Sequence, residues 1–360
     1  MRRPRSYLDW NASAPLRPEA RAAMAAAMDV VGNPSSVHAE GRAARGVMEA
    51  ARRDVAALVG CDADQVIFTS GATEAAALAA ANLPGLVGGG IEHDCVAAHL
   101  SAILPVDANG ALADMARPGP LALQAANSET GVIQKGAGAL VDAVQAVGRT
   151  GWRFDASAMR YAIISAHKIG GPKGIGALIA ATPPAAALLK GGGQERGSRA
   201  GTENLIGVAG FGAAAAAAKR EYESGAWAAV ETLRDRLEEI LDAAAPNLAV
   251  IGKGAPRLPN TSCIACPGWR GETQVMAMDL AGFAVSAGSA CSSGKVARAS
   301  RALLAMGHDD VTASCAIRVS IGPNTTEAEV MAFADTWIAA FARRRTKEGG
   351  LKAARRYHAA

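Results

Sequence analysis

The 360-residue chain has few aromatic residues and few cysteines, and each of these shortages argues against a class of protein. Aromatic residues make up only 4% of it and are not interleaved with basic residues in any motif, so we expect no direct nucleic-acid partner. The six cysteines are scattered, which favours reduced thiols and a cytoplasmic location over a disulfide framework. With no second cysteine pair to complete a zinc site, we also expect no metal.

Long apolar runs are missing as well, so we expect no membrane span. The basic residues at the start of the chain, Arg2, Arg3 and Arg5, are not followed by an apolar segment, and no signal peptide is expected. A second basic cluster lies between Arg343 and Arg356. A solvated helix and tail is the simpler interpretation of that cluster, and an acidic partner or RNA is the alternative.

The pattern of apolar residues predicts two domains. Helix-period segments alternate with short apolar runs as far as residue 245, which indicates an α/β domain with a mainly parallel sheet. Short strands then mix with helices, which indicates a smaller α+β domain. We expect a large domain at 14–245, a small domain at 1–13 and 246–345, and a basic tail at 346–360. The predicted helices are 19–28, 40–59, 73–82, 137–148, 203–243, 271–281, 296–306 and 326–343. The predicted strands are 65–69, 121–125, 152–155, 162–165, 175–180, 248–251, 262–265 and 316–320.

A short segment in the middle of the chain carries the strongest chemical signal. Residues 165–168 read Ser-Ala-His-Lys, and a glycine-rich turn follows at 170–176. A lysine between an imidazole and such a turn suits a Schiff base with pyridoxal phosphate, which makes Lys168 the candidate amine. Asp155 precedes it by thirteen residues and could pair with the pyridine nitrogen. For the tetrapeptide alone, a solvated surface lysine is the alternative.

Residues 66–74 (Val-Ile-Phe-Thr-Ser-Gly-Ala-Thr-Glu) predict a strand, a turn of small residues and the start of a helix. The free N–H groups and the dipole at such a helix start make an anion site suited to a phosphate. A Ser/Thr cap with Glu74 in the first turn explains the segment equally well without a ligand.

Three further segments are candidates for ligand binding. In residues 92–94 (Glu-His-Asp), His93 could stack on a flat cofactor and move protons, or it could be a cap. Residues 127–132 follow a predicted strand, where ligands sit in a doubly wound sheet, although a plain turn is the alternative. The glycine-rich loop 191–202 presents two arginines that suit an anion, whereas a mobile surface loop is the alternative.

Cys291 differs from the other cysteines in its setting. It lies in residues 286–294 (Ser-Ala-Gly-Ser-Ala-Cys-Ser-Ser-Gly), among small polar residues that suit an exposed and mobile nucleophile. Cys61 and Cys95 have no such setting. For the remaining three, packing is the favoured interpretation; they are Cys263, Cys266 and Cys315.

Arg318 lies in an apolar predicted strand, where a charge is costly unless it is paired. A substrate carboxylate would pair with it, and so would an internal Asp or Glu.

In this order, the segments resemble the cysteine desulfurases of the NifS/IscS type, in the class V aminotransferase-like branch of fold type I pyridoxal-phosphate enzymes. The likeness begins at residues 7–12 (Tyr-Leu-Asp-Trp-Asn-Ala) and 32–36 (Gly-Asn-Pro-Ser-Ser) and covers nearly the whole chain. It implies a fold type I transferase, with a mainly parallel seven-stranded sheet in the large domain and a smaller α+β domain. It also implies a homodimer that converts L-cysteine to L-alanine. The sulfur would go to an acceptor such as an iron–sulfur scaffold protein, or into thiolation.

The resemblance assigns a role to each candidate residue. Lys168 would bind the cofactor and act as the base at the substrate Cα, and Cys291 would form the persulfide. Arg318 would hold the substrate carboxylate, with Asn33 in a segment lining that site. The residues expected to contact the cofactor are Ala72, Thr73, His93, Asn127, Ser128, Asp155, Ser165, His167, Lys168 and Thr202 of the partner subunit.

Two positions depart from the family pattern. Residues 155–158 read Asp-Ala-Ser-Ala where the family has Asp-Ala-Thr-Gln, so a donor near the cofactor's phenolate oxygen is expected to be missing. Ser128 stands where a cofactor-contacting asparagine is common. A hydrogen bond to a charged group is worth about 1.5–3 kcal/mol, so each loss is expected to slow turnover. A selenocysteine lyase-like enzyme and a weakly active homologue with a binding or regulatory role are the alternatives.

Overall fold

The computed structural model describes residues 5–112, 119–288 and 299–357, with side chains as far as residue 346. Its strands are β1 (Ser6–Tyr7), β2 (Val66–Thr69), β3 (Val87–Gly89), β4 (Ala102–Leu104), β5 (Leu121–Gln124), β6 (Leu140–Asp142), β7 (Tyr161–Ser165), β8 (Gly176–Ala180), β9 (Ala249–Val250), β10 (Thr261–Ala265), β11 (Phe283–Ala284), β12 (Ser286–Ala287) and β13 (Ala316–Ser320). Its α-helices are α1 (Pro18–Met28), α2 (Ala39–Val59), α3 (Ala72–Ala81), α4 (Asp94–Ala97), α5 (Leu205–Glu223), α6 (Ala226–Ala244), α7 (Gly271–Leu280), α8 (Arg301–Ala305), α9 (Asp310–Ser314) and α10 (Glu327–Tyr357). Short 3₁₀ segments lie at Ala63–Gln65, Ala166–Lys168 and Gln194–Gly197.

The larger sheet has seven strands in the order β2-β8-β7-β6-β5-β3-β4. β8 runs antiparallel to β2 and β7, and the other neighbouring pairs are parallel. Helices α1, α2 and α5 contribute to the core on one face, and α3 contributes to the core on the other. Strands β2, β5 and β7 are buried along their whole length, as expected for a sheet covered on both faces. The prediction of an α/β fold with a mainly parallel seven-stranded sheet is confirmed.

A second core surrounds a four-stranded antiparallel sheet of order β12-β13-β10-β9. Helices α6, α7 and α10 pack on it through Trp227, Met278 and Trp337. The start of the chain joins this part, because β1 pairs with β11 and Leu8 is buried in the same core. Helix α6 therefore contributes to the second core, although the predicted boundary at residue 245 assigns it to the large domain. The domain boundaries stay a prediction.

The middle of the chain differs from the predicted elements. Residues 137–148, predicted as a helix, contain β6, which lies between β5 and β7. Residues 152–155, predicted as a strand, are irregular, and the Phe154 N–H donates to the Val59 carbonyl at 2.8 Å. The alanines of residues 137–148 favour a helix by propensity, but pairing with two buried strands decides the conformation.

Two helices also differ from their predicted extents. The helix predicted at 203–243 is broken at Gly225, whose φ of 76° lies in the left-handed region, so that α5 and α6 are separate. Helix α10 continues to Tyr357, so most of the predicted basic tail is helical. Within the described residues, no helix combines the length and apolar character that a membrane crossing needs.

Candidate active site

A cavity of about 620 Å³ lies where several strands of the large sheet end. Ser70, Asp142 and Ser165 follow or end β2, β6 and β7 and line the cavity, and Ser128 reaches it from the turn beyond β5. Ligands bind at this edge of open α/β sheets. The remaining lining residues are Asn11, Ala12, Ser13, Gly71, Ala72, Thr73, His93, Cys95, Gln124, Ala126, Glu129, Val144, Gln145, His167, Lys168, Lys173, Gly174, Ser286, Ala287, Gly288 and Arg318.

Lys168 ends the 3₁₀ turn that follows the buried strand β7. Its Nζ donates to the backbone carbonyls of Asn11 at 2.5 Å and Ala12 at 3.0 Å. These carbonyls belong to residues 7–12, where the family resemblance begins, so two motifs of the resemblance meet at the lysine. The amine predicted to bind a cofactor therefore lies in the cavity wall.

The structure contradicts the assignment of Asp155. Its side chain is exposed, accepts hydrogen bonds from the Ser157 N–H and hydroxyl at 2.9 and 2.6 Å, and lines a different hollow that includes Gly60. The hydrogen bonds from Ser157 lower the pKa of Asp155 below its usual range. Asp155 is therefore a turn-forming residue and not a cavity residue.

Asp142, which was not among the predicted site residues, lies in the cavity wall. It ends β6, is buried and lines the cavity with Lys168. Burial raises the pKa of its carboxyl, and the charges of His93 and Lys168 oppose that rise. The signal was present, because residues 142–145 read Asp-Ala-Val-Gln after a buried apolar strand. A cation at the cavity would pair with this carboxylate.

Gln145 is an amide that the expectation of a missing donor did not consider, and it lines the cavity three residues after Asp142. Its Nε2 donates to the Asn11 carbonyl at 3.0 Å, and its Oε1 accepts from Arg149 Nη1 at 2.5 Å. Arg149 is buried and also donates to the Lys168 carbonyl at 2.9 Å. Burial lowers the pKa of the Arg149 guanidinium to about 9. One buried cation thus holds both Gln145 and the Lys168 backbone.

The other end of the cavity suits an anion. Helix α3 begins at Ala72 after Gly71, and no described side chain caps this end, so its first N–H groups are available. Thr73, Ser165 and His167 line the cavity there. Burial and the charge of Lys168 lower the pKa of His167 to about 4, so the ring is neutral near pH 7. These groups form a donor set for phosphate.

His93 lines the cavity at the end of a turn beyond β3. Its Nδ1 accepts the Cys95 N–H at 3.2 Å, which caps helix α4. The neighbouring Glu92 is buried, and its Oε1 accepts the Gln124 N–H at 3.0 Å. Burial and the nearby charge of Asp142 raise the pKa of Glu92 to about 8. Asp142 thus has a buried carboxyl as its neighbour, and Glu92 keeps its proton at neutral pH.

Arg318 reaches the cavity from strand β13 of the second sheet. Its Nη2 pairs with Asp9 Oδ1 at 2.7 Å, and its Nη1 donates to the Ser128 carbonyl at 2.9 Å. The internal partner that the sequence left open is therefore Asp9. The Nε of Arg318 is buried and has no hydrogen-bond acceptor among the described residues.

Besides Asp155, three more of the predicted contact residues do not line this cavity. Asn127 is buried behind it, and its Oδ1 accepts the N–H groups of Glu129 and Thr130 at 2.9 and 2.8 Å. Asn33 is exposed and accepts the Ser35 N–H at 2.8 Å. Thr202 is exposed and lines a neighbouring hollow.

Cys291 lies outside the described residues. Cys95, which the sequence gave no special setting, is in the cavity wall.

The charged side chains of the glycine-rich loop 191–202 pair with other residues of the same chain. Arg199 Nε pairs with Glu74 at 3.0 Å, and Arg196 donates to the Asp64 carbonyl. Glu195 has a positive φ of 45° and forms a buried ion pair with Arg52 at 2.7 Å. The loop is therefore anchored by ion pairs to helices α2 and α3, and its arginines already have partners.

Comparison with known proteins agrees with this geometry. A family model described as aminotransferase class-V matches residues 6–109 and 122–333. The chain belongs to this family. It is 41% identical to a cysteine desulfurase of Cereibacter sphaeroides, across 91% of this chain and 93% of that protein. It is 33% identical to an IscS-like cysteine desulfurase of Mycobacterium tuberculosis, across 94% and 97%.

Among solved structures, a NifS-like protein from Rickettsia africae superposes with a TM-score of 0.83 at 27% identity, covering 94% of this chain and 99% of that one. Members of the class V aminotransferase family share the fold type I architecture, which matches the observed sheet. The resemblance drawn from the sequence motifs is confirmed.

Proposed function

We propose that the protein is a pyridoxal-phosphate-dependent cysteine desulfurase, which converts L-cysteine to L-alanine while an enzyme thiol takes the sulfur. One observation carries this proposal: Lys168, Asp142 and the uncapped start of α3 surround a single cavity. The identity of 41% to a cysteine desulfurase supports the same reaction.

The donor set fits pyridoxal phosphate at each of its polar groups. The start of α3, with Thr73, Ser165 and the neutral His167, suits the phosphate. Asp142 suits the pyridine nitrogen, and Gln145 supplies an amide for the phenolate oxygen. Lys168 is the amine for the aldehyde. His93 would lie against the ring. When bound, the cofactor supplies an electron sink for the bonds broken at the substrate Cα.

Lys168 and Asp142 would control two different protons. The carboxylate of Asp142 would hold a proton on the pyridine nitrogen, because a buried anion strongly favours a cation beside it. The Lys168 amine, once the substrate amine displaces it, would take the proton from the substrate Cα. The Asn11 and Ala12 carbonyls that now accept its hydrogen bonds fix the lysine at this edge of the cavity.

Arg318 is the proposed partner of the substrate carboxylate. Its guanidinium lines the cavity and pairs with Asp9. Asn33, which does not line the cavity, would act on the substrate only if its loop approached the site in the dimer.

Cys291 is the proposed sulfur acceptor on the basis of its sequence setting. Its thiolate attacks the substrate sulfur, so that the substrate C–S bond breaks and an S–S bond forms. The carbon receives the proton, and L-cysteine plus a thiol become L-alanine plus a persulfide. Atoms and electrons balance without an outside oxidant or reductant.

The wider setting is also part of the proposal. A homodimer would bring Thr202 of the partner subunit to the phosphate, which agrees with its exposed position outside the cavity of its own chain. A sulfur-acceptor protein in the cytoplasm, such as an iron–sulfur scaffold, would then take the persulfide sulfur, or the sulfur would go into thiolation. Gln145 removes one of the two reasons for regarding the chain as a weakly active homologue.

The test is a visible spectrum of the purified protein, followed by addition of L-cysteine with alanine and sulfide quantified. We expect a yellow protein that forms alanine, and a Cys291→Ala variant that keeps the colour but loses sulfide release. Cys61→Ala is the matched control, because Cys61 lies in a different hollow and should change neither product. A colourless protein that is inert toward L-cysteine would contradict the proposal. Sulfide release that survives in Cys291→Ala would instead favour a lyase.

A further inference from the structure

Asp9 is a charged residue that the proposed reaction does not use, and it pairs with the arginine proposed to hold the substrate. Its Oδ1 accepts a hydrogen bond from Arg318 Nη2 at 2.7 Å. Arg318 lines the cavity, whereas Asp9 does not. The Arg318 side chain is 10% exposed and that of Asp9 is 15% exposed, so water screens the pair only weakly. Asp9 therefore acts on a ligand in the cavity through Arg318 and not by contact.

The Asp9 carboxylate is itself held in place. Its second oxygen, Oδ2, accepts the Ser286 hydroxyl at 2.7 Å. Ser286 lies on β12 directly opposite Arg318 on β13. The Trp10 N–H donates to the Ser320 carbonyl of β13 at 3.1 Å, which fixes the backbone next to Asp9. Both carboxylate oxygens thus have partners, and a substitution at residue 9 removes these two contacts while the backbone pairing stays.

Among the residues that the structure describes, Asp9 is the only ion-pair partner of Arg318. The Nη1 of Arg318 donates to the Ser128 carbonyl at 2.9 Å, which restrains one side of the guanidinium. Glu129 is another carboxyl nearby, but its Oε2 accepts the Ser300 hydroxyl at 2.6 Å and burial raises its pKa. Asp9 therefore compensates the charge of Arg318 and fixes the second side of its planar fork.

We propose that Asp9 is a positioning residue that fixes the Arg318 guanidinium for the carboxylate of the substrate. The effect on the substrate rests on the proposed function, whereas the restraint on the guanidinium does not. A guanidinium that is already ordered loses less conformational entropy when a carboxylate binds, so it binds that carboxylate more tightly. The proton transfers at Lys168 need no contact with Asp9, so KM should change far more than kcat.

The closing experiment measures kcat and KM for L-cysteine in Asp9→Ala and Asp9→Asn. Asp279→Ala is the matched control, because Asp279 also pairs with an arginine, Arg5, but both side chains are exposed. Asp9→Ala should raise KM about 10-fold or more, as expected when a charge-assisted hydrogen bond is lost, and leave kcat within about threefold. Asp9→Asn keeps an acceptor without the charge and should raise KM about threefold. The control should match the wild type.

Two further measurements show whether Asp9 acts through Arg318. In an Arg318→Met background, Asp9→Ala should change kcat/KM by less than about twofold, because the residue that it positions is gone. ¹⁵N NMR of the arginine-labelled protein follows rotation of the guanidinium without substrate, and Arg318→Met assigns the signals. We expect separate Nη1 and Nη2 signals in the wild type, because a held guanidinium rotates slowly, and one averaged signal in Asp9→Ala.

Several results would overturn the inference. An unchanged KM in Asp9→Ala would do so, and a lower KM would show that Asp9 competes with the substrate for Arg318. The inference is also wrong if the effect of Asp9→Ala persists in the Arg318→Met background, or if the Nη signals stay separate in Asp9→Ala. If Asp9→Ala does not fold, Asp9→Asn decides, since a KM and Nη signals like those of the wild type would count against the inference.

Failure of the proposed function would be recognised separately. A protein that is inert toward L-cysteine, but whose Arg318 signals average in Asp9→Ala, would contradict the proposed function and support the restraint on Arg318. An active protein whose KM and Arg318 signals do not respond to Asp9→Ala would support the proposed function and overturn the inference.

Discussion

Two neighbouring segments of this chain begin with the same pair of residues, Asp-Ala, but only one of them lines the cavity. Residues 142–145 (Asp-Ala-Val-Gln) follow a strand between two others, and both polar side chains face the cavity. Residues 155–158 (Asp-Ala-Ser-Ala) form an exposed turn in which the aspartate bonds to its own loop. The two settings shift the pKa values of the aspartates in opposite directions. Burial raises the pKa of Asp142, whereas hydrogen bonds from its own turn lower the pKa of Asp155. Position at the end of a buried strand, and not the dipeptide, makes a carboxylate part of the site.

The largest expected effect is on catalysis, when each of the two aspartates is replaced by asparagine in a separate variant. Asp142→Asn should reduce kcat/KM for L-cysteine by about 100-fold or more, because it removes the anion that would pair with the pyridine nitrogen. Asp155→Asn should stay within about twofold of the wild type. Steady-state alanine formation measures both. An equal loss of activity in the two variants would contradict the assignment of Asp142, and not Asp155, to the site.

Two arginines between these segments, Arg149 and Arg153, should differ in how much they stabilise the folded protein. Arg149→Met should lower the free energy of unfolding by about 2–4 kcal/mol, because the buried acceptors on Asn11, Gln145 and Lys168 lose their donor. Arg153→Met changes an exposed side chain and should stay within about 0.5 kcal/mol. Urea unfolding monitored by fluorescence gives both values. Equal stability of the two variants would show that the Arg149 network contributes little.

The buried carboxyl of Glu92 should make stability depend on pH. Its pKa rises from an ordinary 4.5 to about 8 in the folded protein, so between these values the folded state holds a proton that the unfolded chain has lost. Stability should therefore fall as pH rises through this window. Asp142 and Arg301 are the charged groups that act on it, in opposite directions.

Glu92→Gln should reduce that fall by roughly 1–3 kcal/mol. Urea unfolding at pH 5 and at pH 8.5 measures the change. Glu239→Gln, at an exposed position, is the control and should leave the pH dependence as it is. A wild-type protein that gains stability from pH 5 to pH 8.5, with Glu92→Gln behaving alike, would refute the buried proton.

The smallest expected effect is the change in kcat when the amide side chain of Gln145 is removed. Gln145→Ala should reduce kcat about 10-fold, because one donor near the cofactor is lost. Ala158→Gln would create the sequence Asp-Ala-Ser-Gln in the exposed turn and should leave kcat unchanged within about twofold. The two variants are compared at saturating L-cysteine. A rate gain in Ala158→Gln would mean that residues 155–158 act at the site.

Much of the site could be predicted because its motifs coincide with clear local patterns. The apolar run before Ser70 and the one before Lys168 both end at small polar residues, so strand ends and ligand groups were visible together. Arg318 was a candidate for the simpler reason that a charge interrupts an apolar strand. Its partner Asp9 could not be predicted, because a distant part of the chain supplies it.

The error over Asp142 has a physical cause. Strand β6 has only three residues, and the alanines around it have high helix propensity, so local preference favoured a helix over residues 137–148. Pairing with β5 and β7 overrides that preference, and pairing between distant strands cannot be inferred from a short window. Cys95 was missed for a related reason, since its place in the cavity wall depends on how distant parts of the chain come together around it.

A crystal structure of the protein with pyridoxal phosphate would show which of the two aspartates contacts the cofactor. We expect Asp142 within hydrogen-bond distance of the pyridine nitrogen, about 3 Å, with Lys168 bonded to the cofactor and Asp155 still in its exposed turn. A cofactor whose nitrogen faces another residue, or one bound outside this cavity, would contradict it.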